Sequence, residues 1–190
     1  MGSGMSETGR HHHRGKSSEG RVDEARVLGA LRIQPGQTIL DAGCGNGYMS
    51  KAFAHVVGDT GKVIALDPDE AAIEVLQRQT AGTNIEAVVG DISKETSLAD
   101  GSVDIIYLSN VFHGFTQEEL SGFRAEVARL LRPGGTLAVV EIVKEATPFG
   151  PPIEIRRTPE ELCRLIPLIP LTTVTVGEYH YMQLFGTTQD

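Results

Sequence analysis

The stretch Ile39-Leu40-Asp41-Ala42-Gly43-Cys44-Gly45-Asn46-Gly47 leaves few folds open to this chain. An apolar run ends in an acid, and three glycines follow at intervals of two. Glycine at that spacing lets the backbone turn sharply and lets a ligand lie directly against it. Thr38 to Leu40 reads as a strand leading into Asp41. Beyond the turn, Met49, Phe53 and Val56 form one face of a helix over Tyr48 to Val57. The unit is strand, tight turn, helix.

The same alternation continues along the chain. Strands are predicted at Lys62 to Leu66, Ile85 to Val89, Val103 to Leu108 and Gly135 to Val143, with helices at Pro68 to Thr80 and Thr116 to Leu131. An opening helix over Val22 to Arg32 stops before Gln34-Pro35-Gly36. Alternating strands and helices predict a doubly wound, mostly parallel α/β sheet covered on both faces. The runs VIAL, DIIYL and TLAVVEIV are almost wholly apolar, as strands buried on both faces should be. The C-terminal part differs. Pro159 to Ile166 reads as a short helix, and the runs LTTVTV and YHYMQLF are separated by so short a link that they must pair antiparallel. Between them and the main strands, ATPFGPPIEIRRTP holds four prolines, which exclude a regular element and predict a loop over the site.

Two more acids close predicted strands. Asp67 follows Gly47 by 20 residues, where an acid either accepts hydrogen bonds from ribose hydroxyls or, with Pro68, caps the next helix. Asp91 in Val89-Gly90-Asp91-Ile92 either accepts from an adenine amino group, with Ile92 against the ring, or shapes a turn. Three acids at three successive strand ends lie along one carboxyl edge, where open α/β sheets bind ligands. A dinucleotide's pyrophosphate avoids excess carboxylate, whereas S-adenosylmethionine carries an ammonium, a sulfonium and no phosphate. The dinucleotide fingerprint also wants its third glycine one residue later, where this chain has Tyr48. A nicotinamide oxidoreductase is therefore the disfavoured reading.

The segments ILDAGCGNG, VIALD, VVGDI, SVDIIYLSNVFH and LLRPGGTLAVVEIV resemble, in order and spacing, the motifs of class I S-adenosylmethionine-dependent methyltransferases. The resemblance covers roughly residues 22 to 143 and is closest to the broad group that includes the ubiquinone and menaquinone biosynthesis enzymes. It implies a seven-stranded sheet with one strand inserted antiparallel near its edge. It implies that Asp41, Gly43, Cys44, Gly45, Asn46 and Gly47 surround the methionine end of S-adenosyl-L-methionine. Asp67 and Pro68 would hold the ribose, Asp91 and Ile92 would frame the adenine, and Asn110 would mark where cofactor meets acceptor. Arg132-Pro133-Gly134-Gly135 is read as scaffold, its glycines ending the preceding helix.

Methyl transfer needs alignment and desolvation more than a dedicated base. Where the acceptor must lose a proton, His113 is the first candidate, since it follows the fourth strand and histidine is the side chain type suited to proton transfer near neutral pH; packing or hydrogen bonding is the alternative. Glu141, Tyr179, His180 and Tyr181 lie near the same rim, on faces that strand alternation leaves undecided. The apolar stretch Leu162 to Leu171 either lines a pocket or is plain core.

With 190 residues the chain suits a single domain at 21–190 behind an arm at 1–20, whose first four residues, MGSG, read as a cloning remnant. His11 to His13 and Lys16 either fold over the cofactor or stay loose. A net charge of −8 argues against a nucleic-acid partner, and no apolar run of roughly 18 residues is present to span a membrane. Cys44 and Cys163 lack metal or disulfide spacing, so a soluble cytoplasmic protein without metal is expected. The expected partner is a small-molecule methyl acceptor; the rival without turnover is a regulatory module that binds the cofactor alone.

Overall fold

The computed structural model describes residues 19–188. Twelve regular elements follow one another: α1 (Glu24–Leu31), β1 (Thr38–Ala42), α2 (Tyr48–Val57), β2 (Lys62–Asp67), α3 (Glu70–Gln79), β3 (Ile85–Val89), β4 (Val103–Ser109), α4 (Gln117–Leu130), β5 (Leu131–Ile142), α5 (Pro159–Leu165), β6 (Ile169–Thr175) and β7 (His180–Gly186). The strands form one sheet in the order β3-β2-β1-β4-β5-β7-β6. The first five are parallel; β7 runs antiparallel to both β5 and β6, as the C-terminal hairpin required. The seven-stranded, doubly wound sheet matches the expected class.

Two apolar layers cover the sheet. Phe53, Val57 and Val27 pack with Ile39, Tyr107 and Met182 on one face. Phe123, Leu130 and Leu162 pack with Leu40, Leu108, Val139 and Phe185 on the other. The central strands contribute to both layers, which is why their sequences are almost continuously apolar.

Local chemistry sets the element boundaries. Asp23 caps α1, its carboxylate accepting from the Arg26 N–H, so the helix starts two residues later than the periodicity of Val22 to Arg32 suggested. Thr116 and Glu119 form a reciprocal capping box at the start of α4, and Thr158 and Glu161 do the same for α5. Asp67-Pro68 does not open α3: Asp69 is its cap, accepting from the N–H groups of Ala71 and Ala72. Asp67 is thereby released from capping.

The expectation for Arg132 to Gly135 needs correction, because these glycines do not end α4. The helix passes straight into β5 at Leu131, which pairs with Val103, and the ladder then jumps to Thr136 opposite Ile105. Arg132 to Gly135 is a loop thrown out of the strand, possible because Gly134 adopts φ +75°. Arg132 anchors it, donating to Asp104 Oδ1 at 2.8 Å and to the Ser102 carbonyl at 3.0 Å.

The proline-rich loop after β5 holds a single 3-10 turn, Ile153–Ile155, and is tied together by buried Arg156. Its guanidinium donates to the carbonyls of Val143, Glu145 and Pro151 at 2.8–3.0 Å, giving the proline-rich segment the hydrogen bonds it cannot make in regular structure. His11 to His13 and Lys16 lie outside the described residues.

Candidate active site

The strand order decides where the chain can bind a ligand. Crossovers from β1 lead outward through β2 and β3, while β4 leads the other way to β5. The loops after β1 and β4 therefore diverge and leave a crevice at the carboxyl edge between neighbouring strands. The glycine turn follows β1, and Asn110 to His113 follow β4.

The turn is built as its glycines predict. Gly43, Gly45 and Gly47 all adopt positive φ, at 76°, 53° and 73°. The N–H groups of Gly43 and Cys44 both donate to the Leu66 carbonyl, at 2.7 and 3.1 Å, pinning the turn to the end of β2. Asn46 Oδ1 accepts from the Tyr48 N–H at 3.2 Å, and Gly47 caps α2. A Cβ on Gly43 would lie 2.6 Å from Val111 Cγ2, so the β1 and β4 loops touch at this point.

Asp67, partly buried, sits behind the turn. Its Oδ2 accepts from the Gly45 N–H at 2.8 Å and its Oδ1 from the Asp69 N–H at 2.9 Å. Pro68 beside it is exposed. Asp41 lies deeper, 3% exposed at the end of β1, where the Ser50 hydroxyl donates to its Oδ2 at 2.5 Å. Burial pushes the Asp41 carboxyl up to about 7, opposed by the Ser50 hydrogen bond and reinforced by the negative charge of Asp67. The same burial, with the two carboxylates nearby, pushes the Cys44 thiol up, so it is a protonated wall of the turn and not a nucleophile.

Asp91 forms the turn that was its alternative reading. Its Oδ1 accepts from both the backbone N–H and the hydroxyl of Ser93, at 2.9 and 2.7 Å, and Lys94 Nζ lies 3.7 Å from Oδ2. Ile92 is only 4% exposed and packs into the α4-side core, so it has little more than an edge to offer a ring.

Beyond β4, Asn110 adopts φ +57°, and its N–H donates to the Val140 carbonyl at 2.9 Å. The left-handed residue swings the chain into the 3-10 turn Phe112–Gly114. His113 in that turn is buried. Its Nδ1 lies 2.7 Å from Glu141 Oε2, and its backbone N–H donates to Glu141 Oε1 at 3.2 Å. Glu141 is wholly buried on β5.

The other rim residues separate by strand alternation. Tyr181, opposite Glu141 on β7, lies in the α4-side core and donates its hydroxyl to the Arg157 carbonyl at 2.7 Å. His180, on the opposite face, stacks on Phe149 and is pushed down to about 4 by burial and by the charges of Arg21 and Arg156. Half-buried Tyr179 meets Phe149 edge-on.

The structure thus places the glycine turn, Asp41, Asp67, Asn110 and the His113–Glu141 pair at the same carboxyl edge of the sheet, with Asp91 after β3. A hollow of about 660 Å³ between α1, β6 and the Arg132 loop lies at the opposite edge, where strands begin.

Residues 39–135 match the family described as a methyltransferase domain, just over half of the chain. The chain belongs to the class I S-adenosylmethionine-dependent methyltransferase family. The ubiquinone/menaquinone biosynthesis C-methyltransferase of Hydrogenovibrio crunogenus is 31% identical over 123 residues, 62% of this chain and 46% of that protein. The arsenite methyltransferase of Halobacterium salinarum is 33% identical over 133 residues, 68% of this chain and 32% of that protein. A crystal structure of an S-adenosylmethionine-dependent methyltransferase from Aquifex aeolicus superposes with a TM-score of 0.79 at 26% identity, covering 88% of this chain and 90% of that one. The chain spans about a third to a half of the length of the curated relatives it matches.

Within this methyltransferase fold, Ser50 escaped the sequence reading, and Glu141, named there only as a rim residue, was not matched to His113. Ser50 is an unremarkable helix residue until α2 folds back over β1 and its hydroxyl meets Asp41. Glu141 did leave a signal: a carboxylate inside LAVVEIV must either face solvent or find a partner, and in a central strand only the second is open.

Proposed function

We propose that this chain transfers a methyl group from S-adenosylmethionine to a small-molecule acceptor, with the crevice between the β1 and β4 loops as its active site. The observation that carries this reading is the bare, positive-φ turn of Gly43, Gly45 and Gly47 backed by the carboxylates of Asp41 and Asp67. The donor set suits an adenosyl group that carries positive charge and no phosphate. The turn needs glycine because a Cβ at Gly43 or Gly47 would run into Val111 or Leu76, and the nearest ionisable groups are acids. The small-acceptor reading draws support from the quinone-pathway and arsenite enzymes among the relatives.

S-adenosylmethionine, when bound, supplies a methyl group already activated by its sulfonium. The turn of residues 43–47 would hold its methionine portion, Asp41 would attract the ammonium, Asp67 would accept from the ribose hydroxyls, and Asp91 with the edge of Ile92 would flank the adenine. Asn110 and Val111 would lie where cofactor meets acceptor. Glu141 fixes the imidazole of His113: with Nδ1–H donated to the carboxylate, Nε2 is the nitrogen that carries the lone pair of the neutral ring. That nitrogen is suited to receive a proton from an acceptor hydroxyl or amine.

Calorimetry with S-adenosylmethionine, S-adenosylhomocysteine and NADH tests the donor class; binding of the first two is expected, and binding of NADH alone would overturn the reading. Asp67→Asn should weaken S-adenosylhomocysteine binding about ten- to a hundredfold, since a hydrogen bond to a charged group contributes about 1.5–3 kcal/mol. Unchanged affinity in the folded variant would remove Asp67 from the ribose.

Asp41 gives the site a pH dependence. Its carboxyl rises from an ordinary 3.8 to about 7 in the fold, so its contribution to stability is complete below about pH 4 and is lost as pH climbs through 7. Binding a cation beside it favours the charged form. Affinity for S-adenosylmethionine should therefore rise roughly tenfold from about pH 6 to about pH 8, with a proton released. Calorimetry in two buffers of different ionisation enthalpy reads that proton directly. A flat profile, matched by Asp41→Asn, would place the ammonium elsewhere.

A further inference from the structure

A second concavity lies next to His113 on the α4 side of the sheet. It encloses about 280 Å³ between the turn after β4, the first turn of α4, and α5. Phe112, Phe115, Leu120 and Leu165 form its apolar wall, and Arg157 and Arg164 stand over it. The aromatic wall is rigid: Phe112, Phe115 and Phe123 pack ring on ring with centroids 5.3–5.8 Å apart. Phe115 remains half-buried, with ring surface left to offer.

The charges at the mouth do not cancel. Glu161, the carboxylate lining the cleft, accepts from Lys144 Nζ at 2.7 Å and from the Thr158 N–H at 2.8 Å. Among the described residues, neither Arg157 nor Arg164 lies within ion-pair distance of any carboxylate. Glu160, one turn before Arg164, is exposed and acts on it only at longer range, as Glu161 does on Arg157. Two guanidiniums over an aromatic wall make a recognition surface for a flat ring that bears an anion, since guanidinium matches carboxylate or phosphate in a planar fork.

The cleft is joined to the proposed site by short connections. Val111 touches Gly43 of the cofactor turn, the next residue forms the cleft wall, and His113 follows. On the other side, Arg157 is held through its carbonyl by the hydroxyl of Tyr181, the cross-strand neighbour of Glu141. A ring system seated in the cleft lies against Phe112, the residue before His113, and within reach of both arginines.

We propose that this cleft is the acceptor subsite and that the acceptor is an aromatic compound of one or two rings carrying an anionic group, held by Arg157 and Arg164. This rests on the methyltransferase reading above, which names only a small acceptor. A cavity of this volume lies at the lower end of small-ligand sites and has room for about one bicyclic ring.

The test uses the full chain, two isosteric probes, 1-naphthoate and 1-naphthamide, and S-adenosylhomocysteine as an independent readout. Binding is measured by calorimetry for the wild type, for the double variant Arg157→Gln/Arg164→Gln, and for Leu165→Gln. Naphthoate should bind at least tenfold more tightly than naphthamide, and the double variant should abolish that preference. Leu165→Gln should weaken both probes, and all three proteins should bind S-adenosylhomocysteine equally. Equal binding of the two probes, naphthoate binding that survives loss of both arginines, or no naphthoate binding at millimolar concentration would overturn the proposal. Failure of the wild type to bind S-adenosylhomocysteine would instead overturn the methyltransferase reading.

Discussion

Glu141→Ala is expected to cost the fold about 3 to 5 kcal/mol, because two buried donors are left unpaired at about 1 to 3 kcal/mol each. Glu141 is fully buried on β5 between Val139, Val140 and Ile142, and its two oxygens serve different atoms of one residue: Oε1 the His113 backbone N–H and Oε2 the Nδ1. Removing the carboxylate strands two donors in an apolar layer and opens a cavity beside them. For a chain of this length the melting temperature should fall by about 6 to 20 °C. Glu141→Gln keeps an acceptor for the backbone N–H and should be the milder change, which allows turnover to be compared at equal folding. A loss below about 1 kcal/mol in Glu141→Ala would show that the turn carrying His113 is held by something else.

Gly122→Ala should also be strongly destabilising, against the usual direction. In a helix, alanine is ordinarily better than glycine by about 1 kcal/mol. A Cβ at Gly122 would instead run into the Ser93 carbonyl oxygen, a backbone atom that no rotamer change can move. Overpacking of this kind costs about 1 to 3 kcal/mol, and relief requires α4 or the turn to shift. That turn also carries Asp91, whose Oδ1 is bonded to Ser93, so the variant should bind S-adenosylhomocysteine less tightly as well as melt earlier. Gly29→Ala in α1 is the matched control: nothing lies within 4 Å of its Cβ, and it should stabilise the protein by about 0.5 to 1 kcal/mol. Thermal melts of the two variants should move in opposite directions, and a stabilised Gly122→Ala would refute the close approach of α4 to the Asp91 turn.

Where sequence reasoning erred, a neighbouring group competed for the same backbone. The glycines of Arg132 to Gly135 resemble a helix terminus because such residues commonly end helices. Here Leu131 is drawn into the ladder by Val103 first, and the glycines are left to loop out. Asp67-Pro68 resembles a helix start, yet Asp69 is placed better to accept from two N–H groups, and Asp67 turns back to Gly45. Leu162 to Leu171 divides three ways: Leu162 and Ile166 are core, Leu165 lines the cleft, and Leu171 on the edge strand β6 is exposed.

The elements themselves, the glycine turn with its positive-φ residues and the acids at three strand ends were determined by the sequence alone, because periods of 2 and 3.6 and the conformational freedom of glycine are local properties. Strand order, the meeting of Val111 with Gly43, the closure of Ser50 on Asp41 and the pairing of His113 with Glu141 28 residues away were decided only by the tertiary structure. Those contacts join residues far apart in the chain, and their partners are selected by which apolar faces bury against one another and which buried polar groups must then be satisfied.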